Sequence, residues 1–165
     1  DCLGHPAWYD KTEMLGSPRS DTFPLHLISN QPRGRLHSQY DHGPASMATK
    51  VAGREQVCMH PKDALSRGLE AGDLVRIYND RGACLAIVRT SIGIRTGVVE
   101  LPTGAWYDPS GPDGLEVHGN PNVLTRDIGS SSLGQGTTAH SCLVEIERYT
   151  DGSPPVTVRM PPELQ

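Results

Sequence analysis

The richest recognition chemistry in the chain is packed into one run, Ser29-Asn30-Gln31-Pro32-Arg33-Gly34-Arg35-Leu36-His37-Ser38-Gln39. It offers hydroxyls, carboxamides, two guanidinium groups and an imidazole, with Pro32 to stiffen the turn and Gly34 to let backbone approach a ligand closely. Such a set can read the hydrogen-bonding edges of a large polar ligand. The same composition also describes a solvated surface loop, because loops are polar whether or not they bind anything. Neither Ser38 nor Ser141 sits in a nucleophile elbow or a readable triad order, so no nucleophilic engine is written here.

A second polar constellation spans residues 118–141, from His118-Gly119-Asn120-Pro121-Asn122-Val123 to Gly134-Gln135-Gly136-Thr137-Thr138-Ala139-His140-Ser141. Residues 134–139 match G-x-G-x-x-A, but a dinucleotide fingerprint of that kind needs a helix behind it. Behind Ala139 comes instead the period-two run Cys142, Val144, Ile146 with Glu145 and Glu147 between, which is a strand pattern. The glycine- and hydroxyl-rich loop still has backbone N–H groups to give to an anion, without a P-loop lysine. Among seven histidines the closest metal-like grouping is His37, Asp41 and His42, and no second pair at ligand spacing completes a tetrahedral set. Cys2, Cys58, Cys84 and Cys142 form no C-x-x-C pair and read as small packing residues. No metal ligand and no catalytic residue is assigned.

The elements that must hold these loops are short. With 165 residues, 18 Gly, 14 Pro and 36% hydrophobic content, the chain predicts one domain, mainly β with short helices. Phe23-Pro24-Leu25-His26-Leu27-Ile28 reads as a strand delivering the first loop, with Pro24 marking an edge or a strand start. Residues 41–54, rich in Gly, Ser, Ala and Thr, read as irregular and exposed or as lying against a partner. A strand at residues 57–59 precedes one or two helical turns between Pro61 and Gly68. Residues 74–78 and 83–88 form the clearest hairpin, around Asn79-Asp80-Arg81-Gly82 with Gly82 as the left-handed turn residue. Further strands are expected at 98–101 and 142–147. The net charge of -4 gives no footprint for nucleic acid, and no apolar run is long enough for membrane insertion. The chain opens at Asp1 without an initiating Met or signal segment, so a mature form or a piece of a larger protein is expected.

Five features in order carry a resemblance. They are residues 23–39, the segment Pro61-x-Asp63-Ala64-x-x-Arg67-Gly68-x-x-x-Gly72-Asp73, the turn Asn79-Asp80-Arg81-Gly82, the run Trp106-Tyr107-Asp108-Pro109, and Gly119-Asn120-Pro121-Asn122-Val123-Leu124-Thr125. Together with Gly4-His5-Pro6-x-Trp8 they resemble the C-terminal domain of molybdopterin oxidoreductases of the dimethyl sulfoxide reductase family, nearest its biotin sulfoxide and trimethylamine N-oxide reductase branch. The resemblance implies a six-stranded double-psi β-barrel at residues 22–149. Residues 1–21 would be a linker, anchored through Trp8, from a preceding domain, and 150–165 a peripheral or disordered tail.

It further implies that the barrel caps a bis(molybdopterin guanine dinucleotide) cofactor carrying molybdenum, shared with preceding domains of the same polypeptide. Ser29, Asn30, Gln31, Pro32, Arg35, His37, Ser38 and Gln39 would line one part of it, with Arg35 pairing a phosphate or a pterin carbonyl. Asn122, Val123, Ala139, His140 and Ser141 would contribute from the other side. The metal-ligating residue would lie in a preceding domain, and the fragment alone would be inactive. Trp106 and Tyr107 would approach the site entrance or pack between domains. The whole enzyme would reduce S-oxides or N-oxides, with its electron donor unspecified and a cytoplasmic or periplasmic location equally open. The rival reading is a free-standing double-psi barrel used to bind partners.

Overall fold

The computed structural model describes residues 3–8 and 13–161. Cys2, part of the expected linker and the last residues of the expected tail therefore lie outside the described residues. Within the described residues there are eight strands: β1 Leu25–Ile28, β2 Gln56–Met59, β3 Leu74–Tyr78, β4 Ala83–Thr90, β5 Val98–Glu100, β6 Pro109–Ser110, β7 Leu115–Glu116 and β8 Leu143–Arg148. Two short helices, α1 Pro44–Met47 and α2 Pro61–Leu65, accompany them together with 3₁₀ turns at Pro18–Asp21 and Pro121–Val123.

The strands run in the order β2-β5-β1-β8-β3-β4, and β2 pairs again with β4, so six of them close a barrel. Two of the pairings, β1 with β5 and β2 with β4, are parallel, while the remaining barrel pairs are antiparallel. Crossed parallel pairs within one closed ring make this the double-psi barrel. Strands β6 and β7 form a small flap on the outer side of β4. Inside sit Leu25, Leu27, Val57, Met59, Val75, Ile77, Val88, Val99, Val144 and Ile146, each at most 2% exposed. Period-two alternation places these side chains inward on β1 and β3. By contrast, the five-residue buried run of β4 reflects a strand covered on both faces.

Several local expectations meet a different outcome. Of the two roles expected for Pro24 it takes the strand start, since β1 begins at Leu25, and β1, paired on both sides, is central and not an edge. The β3–β4 hairpin forms as read, but Gly82 is not left-handed. It is needed because a Cβ there would stand 2.8 Å from the Val123 carbonyl oxygen. Asn79 ties this turn down, donating to the Leu124 and Leu143 carbonyls at 2.9 and 3.1 Å and accepting from the Arg81 N–H. Residues 41–54, expected to be irregular and exposed or to lie against a partner, contain α1 and bury Asp41, Ser46 and Arg54 against the domain itself. Trp8 is 78% exposed and so does not anchor the leading segment by burial. Glu13 does that work, taking Arg81 at 2.6 and 2.9 Å and the Leu143 N–H at 3.0 Å.

The described part of the tail is likewise docked. Asp108, 4% exposed, accepts from the Thr157 N–H, the Thr157 hydroxyl and the Val158 N–H at 2.6, 2.7 and 2.9 Å. Arg54 donates to the Pro154 carbonyl and Arg159 to the Gly53 carbonyl.

Candidate functional site

The first loop leaves β1 and folds on itself by hydrogen bonds that its own residues supply. Parallel pairing continues past the strand ends, with Leu101 N–H donating to Ile28 and Thr103 N–H to Asn30, both at 3.0 Å. Gln31 spends its carboxamide within the loop. Its amino group donates to the Arg35 carbonyl, and its oxygen accepts from the His37 N–H at 3.1 Å. Leu36 and Gln39 exchange both backbone bonds, closing a tight turn with His37 at φ +50. The turn lifts His37 and Ser38 into the open, and the Trp106 indole N–H fastens it by donating to the Ser38 carbonyl at 2.7 Å. Gly104 lies directly against it: at φ +93, its Cβ would come within 1.7 Å of the His37 carbonyl oxygen, so only glycine fits.

These pieces enclose an open cleft of about 670 Å³ lined by His37, Ser38, Thr103, Gly104, Ala105, Trp106, Tyr107, Asn120, Asn122 and Val158. The sequence-predicted His37 and Ser38 from one loop and Asn122 from the other thus meet in one place. Asn122 is presented by the 3₁₀ turn, where its N–H is capped by the Asn120 side chain at 3.0 Å. Below that turn the Glu116 carboxylate collects four backbone N–H groups, from Asp108, His118, Gly119 and Asn120, at 2.7 to 3.3 Å. Burial pushes this carboxyl above its ordinary range while the four donors pull it back.

Other predicted residues lie elsewhere. The Ser29 N–H donates to His140 Nδ1 at 3.3 Å, joining the start of the first loop to the end of the second. That bond requires His140 Nδ1 to act as the acceptor. Ala139 and Ser141 are held by local bonds to the Thr137 hydroxyl and the Thr138 carbonyl. Asn30 lines a separate depression with Ile28, Cys58 and Arg89, and its side-chain oxygen is buried without a hydrogen-bond partner. Val123 packs against the core, Pro32 is half-buried, and Gln39 is exposed.

Arg35 faces inward. Its side chain is 1% exposed and donates to the Thr103 carbonyl at 2.6 and 3.1 Å, to Ser46 at 3.0 Å and to Glu55 at 2.7 Å. The guanidinium therefore holds up the cleft floor and offers nothing to a phosphate on the surface. Around it lies an ionic group that the sequence did not disclose, made of Asp41, Lys50, Glu55 and His118, whose side chains are 0–3% exposed. Lys50 bridges Asp41 at 2.9 Å, Glu55, and His118 Nε2 at 3.1 Å. His118 in turn donates from Nδ1 to the Trp106 carbonyl at 2.8 Å. Burial, together with the Lys50 and Arg159 cations, holds the His118 imidazole below its ordinary pKa. Burial pushes the Asp41 carboxyl up, but Lys50, His118 and Arg35 bring it below the usual carboxylate range. The His37, Asp41, His42 grouping does not converge: Asp41 turns to Lys50 and Arg35, and His42 stands edge-on to Trp106 with ring centres 3.8 Å apart. Among the described residues no group of three potential metal ligands comes together.

The cleft residues fit the heterocyclic part of a dinucleotide. Among the described residues no Arg, Lys, Asp or Glu lines the cleft, and its hydroxyls, carboxamides, imidazole and indole suit the neutral edges of a base or pterin. Gly104 brings backbone close where a side chain would intrude. No helix among the described residues is long and apolar enough to cross a membrane.

Residues 25–143 match the family described as "Molydopterin dinucleotide binding domain". Biotin sulfoxide reductase of Cereibacter sphaeroides is 52% identical over 149 residues, which cover 90% of this chain and 20% of that protein. Trimethylamine-N-oxide reductase 1 of Escherichia coli (strain K12) is 48% identical over 154 residues, covering 90% of this chain and 18% of the relative. The chain thus spans about a fifth of the length of these relatives. Among solved structures, acetylene hydratase from Pelobacter acetylenicus shares the fold with a TM-score of 0.70 at 18% identity, over 87% of this chain and 21% of that one. With the family model matched across most of its length, the chain belongs to the molybdopterin dinucleotide-binding domain family.

Proposed function

We propose that this domain, residues 22–149 with the docked tail, caps a bis(molybdopterin guanine dinucleotide) cofactor carrying molybdenum. It would do so inside a longer oxidoreductase of the biotin sulfoxide or trimethylamine N-oxide reductase type. The observation that supports this most is the meeting of His37, Ser38 and Asn122, from two loops remote in sequence, in one uncharged cleft floored by an obligatory glycine. When bound, such a cofactor takes the oxygen atom from an S-oxide or N-oxide and is reset by two electrons.

This chain's own residues bind and orient. His37 and Asn122 supply ring-nitrogen and carboxamide contacts to ring edges, and Ser38 adds a hydroxyl. Trp106 and Tyr107 form the outer wall and exclude water from that edge. Outside the cleft, the Ser29–His140 bond joins the start of the first loop to the end of the second, where the two loops could take another part of the group. Preceding domains of the same polypeptide complete the enclosure and contribute the metal ligand, so the domain alone would not turn over substrate.

The test uses the full-length protein from a molybdenum-replete bacterial host. Released pterin and guanine nucleotide are quantified per protein for the wild type, His37→Ala and Asn122→Ala. Each variant is expected to lower occupancy roughly tenfold, the size of losing one or two good ligand hydrogen bonds. A folded wild-type protein that contains neither pterin nor molybdenum would defeat the reading.

A further inference from the structure

The tail segment at residues 154–160 lies beyond the residues that the family model matches, yet Val158 lines the cleft alongside His37 and Asn122. Its hold on the barrel is built, not incidental. Asp108, two positions past Trp106, clasps Thr157 and Val158 with three hydrogen bonds of 2.6 to 2.9 Å. The segment closes its own turn through the Met160 N–H to the Thr157 carbonyl at 2.7 Å. Below, Arg159 donates to the Gly53 carbonyl at 2.8 Å and reaches His118 Nε2 at 3.4 Å, while Arg54 fixes the Pro154 carbonyl. Gly53, at φ +79, lies against Val156, where a Cβ would come within 3.6 Å of it. The strap is thus fastened both to the strand of chain that carries the outer wall, through Asp108, and to the ionic group beneath the floor, through Arg159.

We propose that this strap is a wall of the dinucleotide cleft, with Val158 as a contact residue and Asp108 as its positioning residue, and that it slows release of the bound cofactor. The inference rests on the proposed function. Physically, Val158 can only exclude water and supply apolar contact, and differences of that kind act mainly on the dissociation rate. Asp108 acts indirectly, by fixing the backbone on either side of Val158.

The experiment measures how fast pterin leaves the loaded full-length protein at moderate temperature. It compares wild type, Val158→Ala, Asp108→Asn and a chain cut after Gly152, alongside the melting temperature of each protein stripped of cofactor. The expected result for the cut chain is release about tenfold faster, the effect of losing the apolar contact of one valine side chain. Val158→Ala should give a smaller increase in the same direction, with the stripped protein melting as the wild type does. Asp108→Asn, which weakens the clasp without removing Val158, should fall between them. Unchanged release in both the cut chain and Val158→Ala overturns the inference. So does a cut chain whose stripped form loses stability in proportion to its faster release, since the strap would then be a fold element only. A wild-type protein without pterin overturns the proposed function and this inference with it, whereas a loaded wild type matched by its variants overturns this inference alone.

Discussion

At the scale of single residues, the cleft depends on Gly104 more than on any side chain that faces the ligand. Both constraints act on it at once: φ is +93, and the atom 1.7 Å from a hypothetical Cβ is a backbone oxygen that cannot swing away. Gly104→Ala is therefore expected to destabilise the domain by roughly 3 kcal/mol or more, combining left-handed strain with overpacking. Urea unfolding of the domain checks this, and a loss under about 1 kcal/mol would mean that the His37 turn simply shifts. Arg35 shows the opposite lesson. An arginine in a polar loop invites pairing with an anion, but this one is buried and turned to Thr103, Ser46 and Glu55. Side-chain chemistry was readable from the sequence, and its direction was not.

At the scale of elements, the β3–β4 hairpin was legible because period-two apolar residues flank a four-residue polar turn, a local pattern that needs no tertiary information. Strand β1 and helix α2 were legible for the same reason, the latter through Pro61 at its start and Gly68, at φ +64, after it. What failed depended on contacts between distant elements. Gly82 was read as a left-handed residue, whereas its need comes from the 3₁₀ turn at Pro121–Val123 pressing on it. Gly82→Ala should consequently cost about 1–2 kcal/mol through overpacking against the Val123 carbonyl. A double substitution that also shortens Val123 to Ala should recover little of this, because the obstacle is backbone, and full recovery would show the side chain to be at fault. The burial of Lys50 was equally unreadable: besides the carboxylates of Asp41 and Glu55 it needs His118, 68 positions away, as a hydrogen-bond partner. Of the candidate site, His37, Ser38 and Asn122 carry motifs, while the strap at 154–160 carries none and reads from sequence as peripheral or disordered.

On the scale of the whole molecule, the ionic group beneath the cleft ties folding to pH. His118 has its folded pKa below its ordinary value of 6.5, so below that value the unfolded chain binds a proton that the folded one refuses. Its stabilising contribution is present above pH 6.5 and is lost as pH falls. Asp41 and Glu13, also lowered in the fold, lose theirs further down, as pH drops below ordinary carboxylate values. Thermal melting of the domain from about neutral pH to about pH 2 is expected to show a decline in two stages. His118→Gln should flatten the upper stage and leave the lower, and an unaltered upper slope would remove His118 as its source.

Strand β8 lies between β1 and β3 in the ring, and both of its neighbours are joined to it by hydrogen bonds. Seen from the ribosome, this makes closure an end-loaded event. Every residue of the cleft except Val158 has been synthesised by Asn122, yet β1 and β3 have nothing between them until residue 148 emerges. Pairings this distant in sequence form late and slowly. A nascent chain therefore passes through a long interval in which its recognition loops exist without a frame.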